Sequence, residues 1–195
     1  MKRRIAFFGG GFNPPHLGHV MGLAYAKVMG QFDRIYVTPC WQHAFEKDSN
    51  LIDFDHRLAM CERAFSGMPD VFVSSMERLL NVRYTVDLME AMRVEYPEDD
   101  LFLIIGSDNE GVMHLWHRWQ DLGKLVEFFV MPRPDGVESQ MPFLLPDISS
   151  TDIRMSLESG PSGLGHARTM LPPKVLDYII KNKLYGTSLL SAAAE

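Results

Sequence analysis

Two histidines three residues apart, His16 and His19, follow a run of three glycines, Gly9-Gly10-Gly11, and the pair Pro14-Pro15. The spacing sets both rings on one face of a helix. Three readings fit them: a metal pair, a polar surface pair beside a proline-started helix, or ligands for phosphate. No third His, Cys or carboxylate stands at a recognisable zinc spacing. Glycines let backbone amides approach a ligand, and a helix start offers unpaired N–H groups and partial positive charge. Phosphate is therefore favoured, with histidine N–H groups available to a developing oxyanion.

A second set lies near the other end, in Ile148-Ser149-Ser150-Thr151-Asp152-Ile153-Arg154. The hydroxyl residues suit a helix N-cap, with Asp152 in the first turn. A cation as early as Arg154 is disfavoured by the helix dipole unless an anion binds there. Its alternatives are a surface arginine reaching Asp152 or Glu158, or a second phosphate grip. Asp108 stands at a predicted strand end, where an acid meets a ribose hydroxyl or caps the next helix. Trp116 and Trp119 are either core or a stacking face for a planar ring.

Strands are predicted over 4–8, 34–38, 71–75, 101–105 and 126–131, and helices over 17–30, 55–65, 85–96 and 110–122. This alternation predicts an α/β fold, an open doubly wound parallel sheet with right-handed crossovers. Ligands then lie beyond the carboxyl ends of the strands, in the loops 9–19, 39–50, 106–108 and 132–136. Prolines and glycines after Pro132 predict a looped region, with a helix starting near 149, a loop over 160–163 and a last helix over 173–183. One domain over 1–186 and a loose tail over 187–195 are expected.

The chain has 195 residues, 46% apolar and 23% charged, with a net charge of −6. That balance speaks against general nucleic-acid binding, which needs clustered Lys and Arg. Cys40 and Cys61 make neither a disulfide framework nor a metal spacing. No apolar run reaches the roughly 18 residues of a membrane span, and the one after Met1 is too short for a signal peptide. A cytoplasmic protein is expected, with no nucleic acid or membrane as partner and homo-oligomer formation left open. P-loop, dinucleotide-fold and serine-elbow motifs are missing from the sequence.

Together, 9–19 and 148–154 resemble the two signature motifs of the nucleotidyltransferase superfamily, His-x-Gly-His early and Ile-Ser-Ser-Thr-x-Ile-Arg late. Within it the chain looks most like the nicotinate-mononucleotide adenylyltransferases. Arg57-Leu58-Ala59-Met60, Tyr84-Thr85-Val86-Asp87, Ile105-Gly106-Ser107-Asp108 with Trp116, Arg133-Pro134 and the stretch 173–185 support the likeness.

The resemblance implies a Rossmann-like nucleotidyltransferase fold and transfer of AMP from ATP to nicotinate mononucleotide, with no covalent enzyme intermediate. It implies that His16 and His19 hold the reacting phosphates, and that Ser150 and Arg154 bind the β- and γ-phosphates. Gly9, Gly10, Phe12, Gly106, Asp108 and Ile148 would surround adenosine. Asn13, Lys47, Arg57, Thr85, Trp116 and Arg133 would serve the mononucleotide, Trp116 by stacking on its ring. Mg²⁺ would be held through ATP phosphates and water, not by a protein cage. The chain departs from the family pattern at Gly11, where Thr or Ser is common, at Asn13, where bacterial members have Asp, at the separated His43 and Lys47, and at Arg83. Nicotinamide mononucleotide or another phosphorylated acceptor, CTP as the nucleotide, and a non-catalytic nucleotide sensor are the alternatives.

Overall fold

The computed structural model describes residues 1–42, 51–132 and 146–188. Five parallel strands form one sheet in the order β3-β2-β1-β4-β5. They are β1 (Arg4–Gly10), β2 (Arg34–Pro39), β3 (Val71–Val73), β4 (Asp100–Gly106) and β5 (Glu127–Met131). The helices are α1 (Leu17–Gly30), α2 (Phe54–Ala64), α3 (Met76–Leu80), α4 (Thr85–Glu95), α5 (Trp119–Leu125), α6 (Ser150–Glu158), α7 (Pro161–Met170) and α8 (Pro173–Lys181).

Both faces of the sheet are covered, which is why its central strands read as near-continuous apolar runs. Ala6 and Phe8 of β1 and Phe102 and Ile104 of β4 pack with α1, α2, α6, α7 and α8. Ile5 and Phe7, with Leu101, Leu103 and Ile105, pack with α4 and α5 on the other face. The two-residue side-chain period of a strand divides the sequence between these layers.

The order reverses at β1, whose neighbours are β2 and β4. Gly10 pairs with Pro39, and Gly106 pairs with Met131. Phe8 pairs with Ile104, so β1 and β4 both end two residues further on, at Gly10 and Gly106. Four strand ends thus come level around the switch point, where open α/β sheets bind ligands.

The expected helix over 110–122 is not formed. Two short 3-10 turns, Ser107–Asn109 and Met113–Leu115, lead to an extended Trp116 and a left-handed Arg118 (φ 49°), and α5 begins only at Trp119. Arg118 is held there by carboxylates of Glu90, Asp87 and Asp121, which tie the Trp116 segment to α4. The expected loop over 160–163 is also corrected. Gly160 (φ 69°) makes the break, and Pro161 at the first helical position starts α7. The last helix stops at Lys181, before the left-handed Lys183. Among the described residues, no helix is long and apolar enough to cross a membrane.

The joint between α6 and α7 depends on Gly163, where an added Cβ would stand 1.9 Å from the Ser156 carbonyl oxygen. Gly163→Ala is expected to lower stability by about 1–3 kcal/mol, as overpacking does. A urea midpoint equal to the wild type would show that these helices are not packed so closely.

Candidate active site

The glycine turn is shaped by what stands behind it. A Cβ at Gly10 would crowd the Phe12 ring at 3.3 Å. Phe12 is left-handed (φ 46°) and buried, its ring edge-on to Phe8, Phe65 and His19. Side chains from distant elements take the turn's carbonyls. Arg57 Nη1 donates to Gly11 O (3.0 Å), Arg154 Nη1 to Asn13 O (2.8 Å) and Ser150 Oγ to Pro14 O (2.9 Å).

His16 is the N-cap of α1, and its relation to His19 is reciprocal. The His19 backbone N–H donates to His16 Nδ1 (3.3 Å), and the His16 N–H donates to His19 Nδ1 (3.2 Å). This is a capping box built from two imidazoles, their ring centres 3.7 Å apart. Because both Nδ1 atoms accept, the ring proton of each neutral imidazole sits on Nε2, which is then a donor. Gly18 allows the arrangement, since a Cβ there would lie 3.0 Å from His16 Nδ1 and 3.4 Å from Ile148 Cβ. The same contact brings the late motif against the early one.

Ser149 caps α6 by accepting the Thr151 N–H (3.1 Å). Arg154 binds the Asn13 carbonyl and Thr151 Oγ1 (3.2 Å) rather than Asp152 or Glu158, which disposes of the surface-pair reading. The guanidinium thus braces the glycine turn from α6.

In front of the turn, a cleft of about 660 Å³ runs across the switch point. Gly9, Gly10, Gly11, Gly18 and His19 line it together with Gly106 and Asp108 after β4, Thr85 at the start of α4, and Trp116. Asp108 lies inside a 3-10 turn and caps no long helix. Trp119 packs on Phe128, ring centres 5.7 Å apart.

Not every expected contact faces the cleft. Phe12, Asn13, His16, Ile148, Ser150 and Arg154 are not among the residues that line it. Arg57, expected at the mononucleotide, is 1% exposed, with Nε on Ile52 O (3.0 Å) and Nη1 on Gly11 O. Burial makes it a support of the turn rather than a cleft cation. Lys47 and Arg133 lie outside the described residues, as do His43 and the residues 189–195.

Two cleft residues, His117 and Glu77, carry no sequence signal of their own. His117 stacks on Tyr84, centres 4.1 Å apart, and both line the cleft with Trp116. Glu77 of α3, a helix too short for periodicity to reveal, also lines the cleft and accepts the Trp41 N–H (2.9 Å).

Burial pushes the Glu77 carboxyl up to about 7, against the opposing pull of the Trp41 N–H and the Arg57 charge. The folded protein therefore binds this proton more tightly than the unfolded chain, whose Glu titrates near 4.3. The stabilisation is complete below that value and is lost as pH rises to about 7. Glu77→Gln is expected to flatten the fall in stability across this window, which has a slope of at most about 1.4 kcal/mol per pH unit. Urea titrations at several pH values would reveal it, and parallel profiles for both proteins would contradict it.

A family model described as cytidylyltransferase-like matches residues 7–156. A protein from Enterococcus faecalis named "probable nicotinate-nucleotide adenylyltransferase" is 33% identical over 195 residues, covering 96% of this chain and 87% of its own. A crystal structure from Vibrio parahaemolyticus, described as a "putative nicotinate-nucleotide adenylyltransferase", superposes with a TM-score of 0.72 at 26% identity, over 95% of this chain and 96% of that one. The Plasmodium falciparum nicotinic acid mononucleotide adenylyltransferase complexed with NaAD shares the fold, with a TM-score of 0.76 at 20% identity over 95% and 98% of the two chains. The fold is thus the Rossmann-like one of the nucleotidyltransferases. Matched over more than half its length by the family model and over nearly all of it by its relatives, the chain belongs to the cytidylyltransferase-like nucleotidyltransferases, in the nicotinate-nucleotide adenylyltransferase family.

Proposed function

We propose that this enzyme transfers AMP from ATP to nicotinate mononucleotide, giving nicotinate adenine dinucleotide and pyrophosphate, a step of NAD biosynthesis in the cytoplasm. The observation that carries the reading is the junction of the two motifs. Ser150 and Arg154 hold the carbonyls of Pro14 and Asn13, so a cation from α6 and the imidazoles of α1 serve one turn at the switch point.

A phosphate oxygen of the mononucleotide attacks the α-phosphorus of ATP. That P–O bond forms, the bond to the bridging α–β oxygen breaks, and pyrophosphate leaves with the electron pair. Little covalent chemistry falls to the protein, whose work is alignment and charge stabilisation. His19, on the cleft wall, donates from Nε2 to the α-phosphoryl oxygens as charge builds, and His16 keeps His19 in that tautomer through the capping box. Arg154, with Ser150, meets the β- and γ-phosphates at the edge of the turn. Gly106 and Asp108 take the adenosine side, while Thr85 and Trp116 take the nicotinate ring.

Among the described residues, no cluster of three or more His, Cys, Asp or Glu could cage a metal. Mg²⁺ fits as an ion carried by the triphosphate and water, with Asp108 an acid of the cleft lining after β4. When bound it neutralises charge on the phosphates that leave.

Chromatography of products from ATP and Mg²⁺ with each candidate acceptor tests the reading. Nicotinate adenine dinucleotide is the expected main product. A preference for nicotinamide mononucleotide would overturn the acceptor, a preference for CTP would overturn the donor, and tight ATP binding without product would favour a sensor.

A further inference from the structure

The phosphate turn has one more holder, and it comes from the far end of the chain. Beyond α8 the backbone is left-handed at Lys183 (φ 54°), Tyr185 (φ 52°) and Gly186 (φ 76°). Non-glycine residues stay in that region where their surroundings over-determine them. Here Thr187, the first residue of the expected tail, is 1% exposed, and its hydroxyl donates to Leu184 O (2.8 Å). The Leu184 N–H donates to Ile179 O (3.0 Å), and Gly186 lies against Glu158 at the end of α6.

This folded-back segment delivers Tyr185 to the turn. Its hydroxyl donates to Asn13 Oδ1 at 2.8 Å across 172 residues of sequence. Burial pushes the phenol well above its ordinary pKa, so it remains a donor. Asn13, itself 5% exposed, also accepts the Ile52 N–H on Oδ1 (3.4 Å), while its backbone carbonyl takes Arg154. The residue is thus gripped on side chain and main chain at once, between the left-handed Phe12 and the N-cap His16.

We propose that Tyr185 is a positioning residue: its hydroxyl fixes the Asn13 amide and thereby the backbone that carries His16 and His19, setting the rate of adenylyl transfer more than the affinity for nucleotide. The rate part of this inference rests on the function proposed above. Small displacements of aligned groups cost rate steeply. Phenylalanine at 185 keeps the ring and removes only the donor, so that the buried Asn13 amide oxygen loses the shorter of the two hydrogen bonds it accepts from Tyr185 and Ile52.

Four variants test it: Tyr185→Phe, Asn13→Ala, their combination, and Thr187→Val as a control that loosens the same segment without touching Asn13. Tyr185→Phe is expected to lower kcat about tenfold, with KM for ATP within about threefold of wild type. The double variant should be no slower than Asn13→Ala, because both act through one contact. Thr187→Val should lower the melting temperature and keep kcat. Hydrogen exchange of the Ile52 amide, read on the free protein, should be faster in Tyr185→Phe. A wild-type kcat, wild-type exchange, effects that multiply in the double variant, or an equal slowing by Thr187→Val would each overturn the proposal. Should the wild type form no dinucleotide, the function reading fails, and Ile52 exchange alone decides whether Tyr185 holds the turn.

Discussion

Alanine at position 19 is expected to lower kcat for adenylyl transfer by about 10²–10³-fold, the scale of losing one preorganised donor to a developing oxyanion. His19 is the imidazole on the cleft wall, and its partner His16 is buried behind it. Their reciprocal contacts commit both Nδ1 atoms to backbone amides and leave Nε2–H as the donor. Removing the ring also deletes half of a helix cap, worth about 1 kcal/mol. That structural part appears in a urea titration and is small, whereas the kinetic part appears at saturating substrates. Near wild-type turnover in His19→Ala would remove the histidine from the chemistry. A fall in turnover matched by gross unfolding would reduce the pair to a cap.

Removing the positive charge at 154 is expected to have the second large effect. Arg154→Met keeps most of the apolar stem and should lower kcat/KM for ATP by about 10²-fold or more, since a cation no longer meets the departing phosphates. Two losses are combined in that figure, because the Asn13 carbonyl also forfeits its donor. Arg154→Lys separates them. Lysine restores the charge but not the planar fork that spans Asn13 O and Thr151 Oγ1. Partial recovery is expected, and steady-state kinetics in ATP would show it. If Arg154→Met bound and used ATP as the wild type does, the guanidinium would be a brace for the turn and nothing more.

Much of the fold was legible because two-sided burial leaves its mark on a strand. Leu101-Phe102-Leu103-Ile104-Ile105 reads as apolar on every residue since alternate side chains enter different cores. The cap of α6 was legible too, because Ser149 acts on an amide two residues away, whereas the cap that His16 makes was not, since imidazoles rarely serve as one. The 110–122 region was misread for the opposite reason. Its conformation is set by Arg118 reaching Glu90 of α4, a contact that no local pattern encodes. Arg57 was legible as a cation but not as a buried one, since its partners at Gly11 and Ile52 come together only in the fold. The link from Tyr185 to Asn13 crosses nearly the whole chain, beyond the reach of any spacing rule.

The central claim is that one cleft moves the α-phosphoryl of ATP, with its adenosine, onto a mononucleotide phosphate. Reaction with ATP labelled at the α-phosphate tests it most directly. The label should appear in nicotinate adenine dinucleotide in step with unlabelled pyrophosphate, and none should be found on the protein. Label recovered as free AMP or ADP, or held on the protein, would contradict the account.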